Sequence, residues 1–157
     1  MLKLRKNKKG FTLVELIVVI AIMAVLAGTV AGVTVSQLNK AKNDTAASEI
    51  KNLLNDFETF LTNYDVSKIT TATADDVVSE FNTEKKAAKG ITGNFLTKKE
   101  DNTTVPKAGK GEYVYTVTYT AAVTGNNPAP AKLELKIWCD KVGSTGAKPE
   151  ASRTYEI

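Results

Sequence analysis

The chain has 157 residues, with 21 Lys and Arg against 17 Asp and Glu, no histidine and one cysteine. This length suits one globular domain with an appended segment. The lack of histidine excludes Ser-His triads, histidine-bearing zinc sites and Cys-His nucleophiles, and one cysteine cannot form an internal disulfide or a CxxC pair. The composition therefore predicts a protein that is not an enzyme, with no catalytic residues, cofactor or metal.

Positive charge is concentrated in the first ten residues, which contain Lys3, Arg5, Lys6, Lys8 and Lys9. Taking these five from the 21 basic residues leaves 16 against 17 acidic ones, so the remaining chain carries −1. The pI of about 9.1 thus reflects this short leader, and no nucleic-acid site is identified. A basic run ahead of an apolar stretch is typical of targeting and membrane topology.

An apolar run follows from Leu16 to Val35, and it is long enough to cross a bilayer as a helix, which needs about 20 residues. The positive-inside rule keeps residues 1–10 cytoplasmic and places the rest outside. A secretory signal peptide cleaved near Gly28 is the alternative. Two features argue against it: the apolar run continues past Gly28, and Glu15 stands at its beginning. A carboxylate at membrane depth is costly and suggests a function.

Cleavage after Gly10 would give Glu15 a partner, because Phe11 would then carry a new α-amino group. The amine and the carboxylate are four residues apart, on one face of a helix. Pairing opposite charges is the obvious way to hold both in an apolar medium. If such helices stack in a polymer, the amine of one subunit could meet Glu15 of another.

The residues Lys9-Gly10-Phe11-Thr12-Leu13-Val14-Glu15-Leu16, between a basic leader and an apolar run, resemble the prepilin signal of type IV pilins and pseudopilins. The resemblance covers about the first 35 residues. It implies cleavage between Gly10 and Phe11 by a prepilin peptidase, N-methylation of Phe11, and Glu15 as the assembly carboxylate. It also implies a homopolymer with minor pilins, an assembly platform, an extension ATPase, and membrane lipid around the unassembled subunit.

Two features depart from the family pattern. Many members carry a proline where Gly32 stands, and Gly28 and Gly32 form a GxxxG pair that could serve close helix packing or local melting, or could simply be tolerated. Many pilins of Gram-negative bacteria close a C-terminal loop with a disulfide, which lone Cys139 cannot form. This favours a Gram-positive host.

Beyond Val35 the pattern becomes amphipathic and predicts one helix from Phe11 to about Tyr64, with a break near Asn43-Asp44 as an alternative. Its apolar stripe comprises Ile50, Leu53, Leu54, Phe57, Phe60, Leu61 and Tyr64.

In the head, Thr73-Ala74-Asp75-Asp76 predicts a short helix through Phe81, and residues 91–96 could form a strand. Alternating patterns predict antiparallel strands over 113–119 and 133–139, with a third over 153–157. The face bearing Leu133, Leu135 and Ile137 should pack on the helix stripe.

Candidate chemistry in the head is sparse. Cys139 is expected to be a buried structural thiol, and Trp138 is expected either at the surface or beneath a C-terminal loop. Asp75-Asp76 and Glu100-Asp101-Asn102 lack the spacing of a calcium loop, and Gly109-Lys110-Gly111 is too short for a phosphate loop.

These patterns predict an α+β protein, a long N-terminal helix with an antiparallel sheet head on its second half, which is the type IV pilin fold that the resemblance implies. The expected segments are a leader 1–10, a transmembrane or filament-core half 11–35, an amphipathic half 36–64 and a head 65–157. The resemblance implies a single-pass cytoplasmic membrane protein that later joins a surface pilus serving adhesion, twitching motility or DNA uptake. A pseudopilin of a secretion or competence system and a solitary membrane-anchored binding domain are the alternatives.

Overall fold

The structure, a computed structural model, describes residues 10–89, 96–100, 103–125, 127–144 and 146–157. The basic leader, the predicted strand residues 91–95 and the pair Asp101-Asn102 lie outside the described residues. The chain divides into two compact units, residues 1–38 and 39–157. The elements are α1 (Leu13–Asn63), a 3-10 turn (Val66–Lys68), α2 (Ala74–Lys89), β1 (Leu96–Lys98), β2 (Tyr113–Thr120), β3 (Lys132–Trp138) and β4 (Glu150–Glu156).

The first unit consists of the N-terminal part of α1, whose large apolar side chains are all exposed. α1 is the one helix among the described residues that is long and apolar enough to cross a membrane, judged by length and composition alone. A helix that is apolar all round needs lipid or other helices around it. The exposed side chains include Leu16, Ile17, Val18, Val19, Ile20, Ile22, Met23, Val25, Leu26, Val30, Val33 and Val35.

In the second unit, α1 buries one stripe of side chains at helical spacing and ends at Asn63, one residue short of the predicted end. The buried stripe comprises Ala46, Ile50, Leu53, Leu54, Phe57 and Leu61. The considered break at Asn43-Asp44 does not occur. Asn43 is buried, and its amide is used in tertiary hydrogen bonds: Nδ2 donates to the Val142 carbonyl at 3.2 Å, and the Val142 N–H donates to Oδ1 at 2.9 Å.

Replacing Asn43 with leucine should destabilise the second unit by about 1–3 kcal/mol, because both backbone groups of Val142 would lose their bonds to the amide. The measurement is urea unfolding of the full chain in detergent. Asn52→Leu, at an exposed position on the same helix, is the matched control and should change stability by no more than about 0.5 kcal/mol. Equal stability of the two variants would contradict a stabilising role for the Asn43–Val142 hydrogen bonds.

The four strands form one sheet in the order β1-β2-β3-β4. β2–β3 and β3–β4 are antiparallel, as the alternating patterns predicted. β1 is different, because it pairs with β2 in parallel, so the sheet is mixed rather than wholly antiparallel. A parallel pair needs a crossover of about a dozen residues, and residues 99–112 provide one.

The core lies between the second half of α1, α2 and one face of the sheet. Leu133, Leu135 and Ile137 are fully buried in the same cluster as the α1 stripe, as predicted. Phe57 is central: its ring centroid lies 5.2 Å from that of Phe81 and 5.3 Å from that of Tyr155, both in edge-on geometry. The Tyr155 hydroxyl donates to the Leu54 carbonyl at 2.8 Å. Burial raises the pKa of Tyr155 above its ordinary value.

α2 begins directly after Thr73 but continues to Lys89, well beyond the predicted end at Phe81. Asn82, the first residue beyond the predicted end, contacts β1: its Nδ2 donates to the Leu96 carbonyl at 2.9 Å and its Oδ1 accepts from the Leu96 N–H at 3.1 Å. These two bonds hold the start of the parallel edge strand.

Candidate assembly and processing site

The predicted cleavage position lies immediately before α1. Gly10 and Phe11 precede the helix without regular secondary structure, and Phe11 is 91% exposed. A Cβ atom added to Gly10 would meet nothing within 4 Å. Among the residues that the structure describes, none blocks access to the bond between Gly10 and Phe11.

Glu15 forms a reciprocal cap at the start of α1. Its Oε2 accepts hydrogen bonds from the Thr12 N–H and from the Thr12 hydroxyl, both at 2.8 Å. The Glu15 N–H in turn donates to Thr12 Oγ1 at 3.3 Å. This is a capping box, with Thr12 as the N-cap residue and Glu15 three positions later, satisfying backbone donors that the helix cannot satisfy itself.

The cap gives Glu15 a second use that the sequence interpretation missed. The spacing Thr-x-x-Glu ahead of an apolar run is a known signature of a helix start. The sequence contains this signature, but Glu15 was interpreted only through its four-residue spacing from Phe11. The cap does not exclude the predicted assembly role, because the Thr12 groups that bond to Glu15 are neutral and the carboxylate keeps its negative charge.

Gly28 and Gly32 lie within α1, and a Cβ added to either would meet nothing within 4 Å. Their four-residue spacing puts them on one face of the helix. Both nearby threonines bond back into the helix, Thr29 to the Leu26 carbonyl and Thr34 to the Val30 carbonyl, each at 2.9 Å. The glycine face is therefore open, and its use in helix packing or local melting stays a prediction.

Comparison with known families adds one finding. Residues 5–31 match the family described as the prokaryotic N-terminal methylation motif. The chain carries a class III prepilin signal. The motif supports a type IV pilin- or pseudopilin-like prepilin, a structural class of protein, and implies processing by a prepilin peptidase and polymerisation with other pilins. Together with the exposed apolar helix it indicates a membrane-anchored precursor. No curated protein and no solved structure matches the chain.

The second unit places the other sequence candidates in structural roles. Asp75 forms an ion pair with Lys98 at 2.5 Å, between α2 and β1. Among the described residues, no three His, Cys, Asp or Glu side chains are grouped as a metal site. Gly109 and Gly111 both have positive φ and belong to a surface turn rather than to a strand–loop–helix phosphate site. Trp138 is half-buried, with Lys136 Nζ and Lys148 Nζ 5.8 and 5.9 Å from its ring centroid.

Cys139 follows β3 and is fully buried in the core, as expected for a structural thiol. Burial, with a smaller contribution from the neighbouring Asp140 carboxylate, raises the pKa of Cys139 to about 11. The reactive form of cysteine is the thiolate, which this environment disfavours.

The folded chain should therefore resist alkylation at Cys139. At pH 8 a pKa of about 11 leaves on the order of one Cys139 side chain in a thousand ionised, and the thiolate fraction should rise about tenfold per pH unit up to pH 10. Iodoacetamide labelling followed by intact mass should show little modification of the folded chain at pH 8 and full modification in urea. Equal labelling of folded and unfolded chain would contradict the buried thiol.

Proposed function

We propose that this protein is a structural subunit of a type IV pilus that polymerises through its N-terminal helix after leader removal. The observation that carries the proposal is the prepilin signal at residues 5–31, together with the first part of α1, residues 13–38, whose large apolar side chains are all exposed in the described part of the chain. Such a helix requires lipid before assembly and sister helices after it.

The proposed precursor has its N-terminus in the cytoplasm. Five basic residues lie in the ten residues before Phe11, whereas Lys40 and Lys42 are the first ones after the apolar run. The larger number of Lys and Arg residues on the N-terminal side favours that side as cytoplasmic. The head, residues 65–157, then lies outside the cytoplasmic membrane.

Assembly in this proposal depends on charge pairing inside an apolar filament core. Cleavage after Gly10 gives Phe11 a free α-amine, later methylated, which pairs with Glu15 of a neighbouring subunit. The helices, including the Gly28–Gly32 face, form the core of the fibre and the heads form its outer surface. Minor pilins, the assembly platform and the extension ATPase are the proposed partners, and the fibre serves adhesion, motility or DNA uptake.

The second candidate is a pseudopilin of a type II secretion or competence system, because the same N-terminal motif supports both. The two predict different phenotypes. Loss of projecting fibres on deletion of the gene favours the pilin, whereas loss of secretion or transformation in cells without visible fibres favours the pseudopilin.

Mass spectrometry of the N-terminal peptide tests the proposal. In fibres sheared from the native host, the chain should begin at a methylated Phe11. A Gly10→Val variant, which adds a branched side chain at the proposed cleavage position, should remain at Met1 in the membrane fraction, while Gly28→Ala should be processed normally. A start near Gly28, or an intact Met1 in every fraction of the unmodified chain, would overturn the pilin proposal.

A further inference from the structure

In the second unit, the first residues of its part of α1 and two loops lie together at one end. We call this region the base and define it as residues 39–44, 107–112, 140–144 and 146–148. Gly109 and Gly143 have positive φ values of 88° and 71°, and each packs directly on α1. A Cβ on Gly109 would lie 3.3 Å from the Lys42 side chain, and one on Gly143 only 2.7 Å from Asn39. A side chain at either position would be strained by the positive φ, and the facing side chain of Lys42 or Asn39 would have to move aside.

Backbone bonds tie the two loops of the base to each other. The Ala108 N–H donates to the Asp140 carbonyl and the Asp140 N–H donates to the Pro106 carbonyl, both at 2.8 Å. With the Asn43–Val142 bonds, these contacts fix both loops against the first turns of α1 in this unit. The base is therefore a built surface in which lysines from distant parts of the sequence are held side by side.

The base is strongly basic although the unit as a whole is neutral. Residues 39–157 contain 16 basic and 16 acidic side chains, whereas the base contains six lysines and three acids, a net charge of +3. The rest of the unit consequently carries −3. All six lysines are exposed: Lys40, Lys42, Lys107, Lys110, Lys141 and Lys148. The three acids are Asp44, Glu112 and Asp140.

Chain connectivity places this charge next to the membrane segment. The apolar run ends at Val35, and Lys40 follows five residues later, about 8 Å along a helix at 1.5 Å per residue. Lys42 and the loops packed on it lie at the same end of the unit. Lysines immediately beyond a membrane span are held within reach of the lipid headgroups.

We propose that the base is a docking surface for anionic phospholipid headgroups, which holds the head of the unassembled subunit against the membrane. A shallow cavity of about 380 Å³ is lined by Lys107, Asp140, Lys141, Gly143 and Lys148. Lys148 Nζ lies 3.9 Å from Asp140 Oδ1 within this lining, so the three lysines offer a phosphate group a net charge of +2 there. Lysine side chains carry a compact charge on a flexible stem. They are therefore better suited to the mobile phosphates of a lipid surface than to a ligand that needs fixed bidentate contacts. This inference rests on the proposed membrane-anchored precursor.

Trp138 makes the inference directly measurable, because it is the chain's one tryptophan and Lys148 Nζ lies 5.9 Å from its ring centroid. The full chain is placed in nanodiscs of phosphatidylcholine alone or with phosphatidylglycerol, both carrying a nitroxide-headgroup lipid that quenches fluorescence. Quenching of Trp138 should be about twofold greater with phosphatidylglycerol, and this excess should disappear in about 1 M salt, where the screening length falls to about 3 Å.

Two double variants test which lysines cause the excess quenching of Trp138. Lys107→Gln with Lys141→Gln should abolish the excess quenching, whereas Lys68→Gln with Lys132→Gln, which removes the same charge away from the base, should retain it. Equal quenching of Trp138 in both lipids would overturn the base as a lipid-docking surface, and so would an equal loss of the excess quenching in both double variants. Either result would leave the proposed membrane anchor intact. A chain that does not elute with nanodiscs would overturn the membrane anchor and, with it, this inference.

Discussion

Replacing Glu15 with alanine is expected to abolish fibre formation and leave a stable pool of processed subunit in the membrane. In the proposed fibre, the Glu15 carboxylate neutralises the Phe11 amine of a neighbour inside an apolar core. Removing one partner of a buried ion pair leaves the other uncompensated, at a cost of about 3–5 kcal/mol. This corresponds to a loss of more than about a hundredfold in assembly. Immunoblots of sheared fibres and membrane fractions measure both pools.

Two further variants separate the charge of Glu15 from its cap. Glu15→Gln keeps an oxygen that can accept from the Thr12 N–H but removes the charge, whereas Thr12→Ala removes the capping hydroxyl and keeps the charge. We expect Glu15→Gln to fail in assembly nearly as completely as Glu15→Ala. Thr12→Ala should assemble, with only the loss of about 1 kcal/mol that a missing N-cap causes. Normal fibres from Glu15→Gln would show that the residue acts through the cap alone.

Phe57→Ala is expected to have the largest effect on the stability of the head, a loss of about 3–5 kcal/mol. The side chain is completely buried, and it packs edge-on against Phe81 and Tyr155 in the centre of the core. Truncation removes these aromatic contacts and leaves a cavity that three separate elements line. The measurement is urea unfolding of the full chain in detergent, monitored by the fluorescence of Trp138.

The matched control is Phe11→Ala, because Phe11 is 91% exposed and the same atoms are removed. Its effect on head unfolding should stay within about 0.5 kcal/mol. Phe57→Leu, which keeps a large apolar group, should cost less than Phe57→Ala. A loss below about 1 kcal/mol for Phe57→Ala would contradict its central place in the core.

The sequence predicted the features that depend on regular periodicity. The helical stripe around Phe57 and the alternation along Leu133, Leu135 and Ile137 each bury one face, so spacing alone located both. The prepilin signal could also be recognised from the sequence, because its residues lie together in the chain. The processing and assembly roles of Gly10, Phe11 and Glu15 remain predictions.

Features set by contacts distant in sequence were not predictable in the same way. β1 has only three residues, too few to show alternation, and the Asn82 amide that holds Leu96 comes from 14 residues earlier in the chain. Asn43 suggested a helix break because isolated asparagine favours caps, but its amide is engaged by Val142, 99 residues away. The basic surface described above likewise exists only once two loops have folded against α1.

Some contacts of the second unit join residues that are far apart in the sequence, so one partner is synthesised well before the other. The hydroxyl of Tyr155 bonds to Leu54 across 101 residues, and translation at about 5–20 residues per second makes these partners about 5–20 s apart. Closure of the core must wait for the later partner, and distant pairings are slow to form in any case. The apolar segment is complete long before that moment. If the proposed membrane-anchored precursor is correct, its helix can insert before the head has folded, and a chain interrupted before Tyr155 would have a complete apolar helix but an open core.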